Sequence, residues 1–225
     1  MSERTDALID ELARGLRPVR RLPGLGRVAL GIASLAAALA GAQLVVASFT
    51  RSPWPKPSFA AADAATIAAH ALLATGALAV ALGACVPGRE RLARAGGLAV
   101  ALAFGAVVWI GCVRFAAWPG VAALAPGWSR ATLACALGSI VPAVLPVFLF
   151  ARFGARAAPH RVSLALFFGA VAPLGLLTLP GIFGCTYPDE LHHVVGHLLT
   201  PALGALGLLL VALPVFASAR ASQRP

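Results

Sequence analysis

Six long apolar runs divide the chain: Val28–Phe49, Ala64–Val86, Ala95–Val113, Ala131–Ala151, Val162–Phe183 and Val194–Ala217. Each is near the roughly 20 residues that an α-helix needs to cross a bilayer core. None contains Asp, Glu, Lys or Arg. The pattern predicts an all-α fold, a polytopic six-helix transmembrane bundle over residues 25–219. The runs follow one another as three regular helical hairpins. Pro142, Pro146, Pro173, Pro180, Pro201 and Pro214 lie inside them, which membrane helices tolerate because neighbouring groups satisfy the freed carbonyls.

Ahead of the first run the pattern changes. Leu8, Ile9, Leu12 and Leu16 recur at helical spacing, with Asp6, Asp10, Glu11 and Arg14 between them. This predicts a short amphipathic helix. Arg17, Arg20 and Arg21 follow as a basic hinge. Residues 1–24 thus read as a soluble tail, and residues 220–225 as a second, shorter one.

Composition supports the membrane assignment. The 225 residues are 60% hydrophobic and 12% charged, with a mean hydropathy of +0.87. A soluble domain cannot hide that much apolar surface. The first run is longer than a signal-peptide core and is followed by further spans, so no cleaved leader is expected. The net charge of +10 does not point to nucleic acid, since no basic patch is interleaved with stacking aromatics. It fits basic residues at membrane ends and contact with anionic lipid.

Those basic residues set an orientation. Fourteen Lys and Arg fall on the face holding both tails and the second and fourth loops. Four (Arg51, Lys56, Arg114 and Arg130) fall on the other. The positive-inside rule places both termini in the cytoplasm of a multi-pass inner-membrane protein. Trp54, Trp109, Trp118, Trp128 and Tyr187 lie toward the opposite face, as expected of an interfacial aromatic belt.

The chemically capable side chains gather toward that same outer face. Cys112 ends span three, Cys135 begins span four, and His70 lies in the outer third of span two. The fifth loop, GCTYPDELHHVVGH, supplies Cys185, Asp189, Glu190, His192, His193 and His197. His193 and His197, four apart, share a helix face. Thiolate, imidazole and carboxylate make a ligand set for a transition-metal ion. Two cysteines in an oxidising compartment can instead form a disulfide. Plainer roles compete: Cys85 and Cys112 suit small apolar fillers, His70 suits packing, and Asp189 and Glu190 suit the start of span six through its helix dipole. No Rossmann, P-loop, HExxH or Ser/His/Asp arrangement is present, so no catalytic role is expected.

The tail TDALIDELARGLRPVRRL, six spans, a cysteine early in span four and a Cys-Pro-Asp-His segment before span six resemble the NrsF family. The resemblance rests on Asp6, Leu8, Ile9, Leu12 and Pro18-Val19-Arg20-Arg21 in the tail, on Cys135, and on Cys185 with Pro188, Asp189, His192 and His197. It implies a membrane-bound anti-sigma factor holding an extracytoplasmic-function (ECF) sigma factor on the cytoplasmic side. It further implies that Cys135 and Cys185 are the pair that senses metal or oxidative stress. Cys85 and Cys112 match no position in it, and the doubled His192-His193 leaves open which histidine corresponds.

The tail is too short to be a stable helix alone in water, so it is expected to fold on its partner. Burying Leu8, Ile9, Leu12 and Leu16 at about 1.5–3 kcal/mol each yields about 6–12 kcal/mol before ordering costs. Adsorption to lipid is disfavoured, because residues 1–16 carry four acidic and two basic side chains where interfacial helices are basic. The rival reading is a metal- or haem-binding redox or transport subunit using the outer Cys/His cluster, with His70 and His197 facing one another.

Overall fold

The computed structural model describes residues 5, 7, 11, 23–50, 61–120, 128–157, 159, 161–187 and 189–221. These residues are all-helical, with no strand among them. The long helices are α1 (Leu25–Thr50), α2 (Ala61–Cys85), α3 (Glu90–Ala116), α4 (Trp128–Ala157), α5 (Val162–Leu177) and α8 (Thr200–Ala221). Short helices α6 (Leu179–Gly184) and α7 (Glu190–His193) and a π-helical turn (Val194–Leu198) join α5 to α8. Counting α5 and α6 together, six helical stretches are long and apolar enough to cross a membrane.

Most helices run past the ends of the apolar runs. α2 starts early enough to include Asp63, and α3 includes Glu90, Arg91, Arg94 and Arg114. A charged residue ends an apolar run without ending a helix, because helical hydrogen bonding does not depend on hydropathy.

Two runs are not continuous α-helices. Val162–Phe183 breaks at Thr178, whose hydroxyl donates to Leu174 O at 2.7 Å. Pro180 follows, with no N–H to continue the ladder. Val194–Ala217 opens as the π-turn, and its α-helix begins only at Thr200.

The packing differs from three sequential hairpins. α2 and α3 do form a tight pair: a Cβ added to Gly96 would stand 2.6 Å from Gly76 O, so the backbones meet directly. α2 and α5 are the central helices, with 56% and 61% of their apolar windows buried. α1 has 11% buried and barely touches α2, resting instead on α4, α5 and α6. Small residues on α2 commit its faces to α3 and α5, which leaves α1 at the rim.

The main core lies between α2, α4, α5 and α8, around Phe150, Leu166, Leu174, Leu208 and Phe216. Gly169 accommodates the Phe150 ring, which an added Cβ would approach to 2.2 Å. The tail residues Asp6, Leu8, Ile9, Leu12, Leu16, Pro18, Val19, Arg20 and Arg21 lie outside the described residues, as do Trp54 and Pro188.

Candidate metal centre

The polar groups occupy the end of the bundle where α2, α4 and α8 begin and α3 ends. The chain between α6 and α8 builds the site in three steps. Cys185 leaves α6 in extended conformation, with φ −78° and ψ 113°. Asp189 then caps α7, its Oδ1 accepting from Leu191 N at 2.8 Å and from His192 N at 3.2 Å. This side-chain cap fixes where the helix starts and brings His192 back over Cys185, with Nε2 3.2 Å from Sγ.

The π-turn is the third step. In an ordinary α-helix, residues five apart point about 140° away from each other. The wider turn brings the His197 and His192 ring centroids within 5.3 Å, and Leu199 N donates to Val194 O at 3.0 Å across it. Its freed carbonyls find partners. Thr200 Oγ1 donates to Gly196 O at 2.9 Å. Pro201 has no N–H to offer the carbonyl four residues before it, and that oxygen, on His197, lies 3.2 Å from His70 Nε2. Gly181 leaves room for the His197 ring, which a Cβ there would meet at 2.8 Å.

Cys135 completes the group from α4. One ligand atom from each of Cys135, Cys185, His192 and His197 lies within 4.8 Å of the others. Around a zinc-sized ion such donors stand about 3.6 Å apart, so a small contraction would close them on a metal. The donor set is apt in a second way. His197 is 1% exposed, yet neither of its ring nitrogens makes a hydrogen bond. Buried polar atoms are rarely left so, and a cation would satisfy one of them. His192 is oriented by Thr132, whose Oγ1 lies 3.0 Å from Nδ1, leaving Nε2 to the sulfur side. This group could therefore hold a metal ion. Hydrogen bonding with Cys135 holds the Cys185 thiol well below its usual range, against the opposing effect of burial, and His192 adds in the same direction. A thiolate is the form that binds metals and attacks electrophiles.

The other sequence candidates have different places. Asp189 is a cap. His193 lies apart from the four donors, with Nε2 3.0 Å from Tyr187 O, although its ring remains 5.7 Å from that of His197. Burial lowers its pKa from 6.5. Both ring nitrogens of His70 face carbonyls, Thr66 O at 2.8 Å and His197 O at 3.2 Å. Its ring is thus directed at backbone carbonyls of α2 and of the π-turn and not at the His197 ring. Cys112 is exposed and Cys85 is buried at the far end.

Three groups that shape the site carried no signal in the apolar pattern. Arg114 reaches from α3 to Asp63 on α2 at 3.0 Å and to Glu190 on α7 at 2.6 Å. It thereby ties the ligand-bearing segment to the α2–α3 pair. Thr132 and Gly181 read as generic helix residues. Thr200-Pro201 after His197 was the one readable hint of an irregular turn.

No protein-family model, curated protein or solved structure matches the chain.

Proposed function

We infer that this chain is a membrane-bound anti-sigma factor, whose N-terminal segment, residues 1–24, holds an ECF sigma factor at the cytoplasmic face. Metal binding or thiol oxidation at Cys135 and Cys185, on the opposite face, releases it. The observation that carries the sensing half is the four-donor group of Cys135, Cys185, His192 and His197. It joins a helix of the bundle to the segment between α6 and α8, so a bond made there adds a tie between two elements that otherwise meet by packing and the Thr132–His192 hydrogen bond. The docking half rests on the tail's apolar stripe, its acidic balance and the family resemblance. Lys and Arg counting supports the orientation, with both termini in the cytoplasm of the inner membrane.

The test uses the full-length chain in bilayer discs with a purified ECF sigma factor. Leu8→Asp with Leu12→Asp should abolish retention. Cys135→Ser with Cys185→Ser should retain the sigma factor but no longer release it on addition of Zn²⁺ or oxidant. Retention by the tail variant would refute the docking segment. Normal release by the cysteine variant would refute the sensor.

A further inference from the structure

Three of the four donors are buried, and Cys135 alone is partly exposed. It lies on the wall of a cleft of about 360 Å³ between α1 and α4. Leu39, Gln43 and Val46 line one side, Cys135, Ser139 and Pro142 the other. Pro180 and Gly181 also line it, and Gly181 is the residue packed against His197. Both walls belong to membrane-spanning helices, and α1 is the rim helix, so the cleft opens sideways toward lipid. The buried donor group is thus approached through an apolar passage.

That passage has the size of a small-molecule site. It is apolar except for the Gln43 amide, one of whose N–H groups donates to Gly138 O, the Ser139 hydroxyl, which donates to Cys135 O at 3.4 Å, and the Cys135 thiol. A lipid acyl chain has no use for these groups, and a water-soluble oxidant is disfavoured by the walls. A quinone combines an apolar ring and tail with two carbonyl acceptors and an electrophilic ring carbon. Cys185 Sγ, within 4.8 Å of the Cys135 sulfur, supplies the second thiol needed for a two-electron oxidation.

We propose that the α1–α4 cleft binds a membrane-dissolved quinone, which oxidises Cys135 and Cys185 to a disulfide. The Cys135 sulfur passes its proton to the Cys185 sulfur and adds to a ring carbon; the C–S bond forms and the displaced π pair moves onto a quinone oxygen, giving a non-aromatic enolate adduct. Cys185 sulfur then returns that proton to the enolate oxygen and attacks Cys135 Sγ; the S–S bond forms, the C–S bond breaks with its electron pair entering the ring, and the ring takes up the second proton and leaves as hydroquinone. The two thiols lose two electrons and two protons, and the quinone gains both. Metal ligation and disulfide formation use the same sulfurs, so a bound metal ion protects them. As a signal this step rests on the regulatory reading above; the binding and oxidation do not.

The experiment takes the full-length chain with Cys85→Ala and Cys112→Ser, reduced, in bilayer discs under argon, with decylubiquinone as the probe. Thiols are counted by maleimide tagging after denaturation, and hydroquinone by its ultraviolet absorbance. Both thiols should disappear with one hydroquinone formed per chain, and Zn²⁺ added first should prevent it. A Cβ at Gly138, another lining residue, meets nothing within 4 Å. Gly138→Leu should therefore narrow the cleft without straining the helix and slow oxidation by about tenfold, as for a loss of about 1.4 kcal/mol in quinone binding, at unchanged helicity. Ala42→Phe fills it from the facing wall and serves if Gly138→Leu does not fold. Thiols that survive the quinone, as they would with a lipid chain in the cleft, overturn the proposal. So does oxidation at equal rates with the cleft open and filled. Oxidation as described without release of the sigma factor leaves this proposal standing and refutes the regulatory reading.

Discussion

Cys85 and Cys185 are both buried, at 0% and 5% exposure, near opposite ends of the bundle. Cys85 belongs to the main apolar core, with Leu82, Ala155 and Phe216 in the same cluster, and acts as a small apolar side chain. Cys185 faces the His192 ring and the Cys135 thiol and is held toward the thiolate. Burial is the same and chemistry differs, because the neighbours of one are hydrocarbon and those of the other are donors. The same division runs through the molecule. The far end is packed from Ala, Leu and Phe, whereas the Cys/His end is assembled from paired charges, caps and an irregular turn.

The contrast is tested most severely at Arg114, whose side chain is 11% exposed beside Asp63 at 6%. Arg114→Leu takes a cationic partner away from the buried Asp63 carboxylate, and should cost about 3–5 kcal/mol in thermal or denaturant unfolding in detergent. Glu190→Gln, at a side chain 35% exposed, should cost less than about 1 kcal/mol. Equal losses would mean that the charges act as one surface patch.

The two cysteines should separate next. Cys185→Ser removes one of four ligands, roughly a quarter of a binding free energy of about 10–16 kcal/mol. Zn²⁺ affinity in chelator competition should fall by about 100-fold or more. Cys85→Ala should leave it unchanged. A smaller effect is expected from Gly181→Ala, whose Cβ displaces the His197 ring; affinity should drop about tenfold, as for other groups that position ligands. In the doubled histidine, His192→Ala should match the Cys185 variant and His193→Ala should fall within the Gly181 range.

The mildest test is pH. Burial lowers the His193 pKa from 6.5 in the folded state and so favours its neutral ring there. Below about pH 6.5 the unfolded chain therefore takes up a proton that the folded chain does not, and stability falls with pH. His193→Gln should flatten that slope in a melting series.

The six-span architecture was legible because hydrocarbon thickness sets run length. Which helices pair was not, since hydropathy says that Leu39 and Leu73 are apolar but not which neighbour each meets. Asp63 gives no signal in the apolar pattern because it precedes its run by one residue, yet the helix starts at Ala61 and buries it. The convergence of Cys135 with the fifth loop was visible as a shared depth. The pairing of His192 with His197 was not, because four-residue spacing presupposes 3.6 residues per turn.

The π-turn also determines where this chain can change length. Between His192 and His197 it carries one residue more than a regular helix requires. Loss of Val194 or Val195 would leave an ordinary α-helix with the two histidines four apart, on one face, and α8 still in place. The same loss between Cys185 and Asp189 would shorten the chain joining sulfur to ring and part them. Shortening is thus survivable within the wide turn and damaging just before it, although the two places are only a few residues apart.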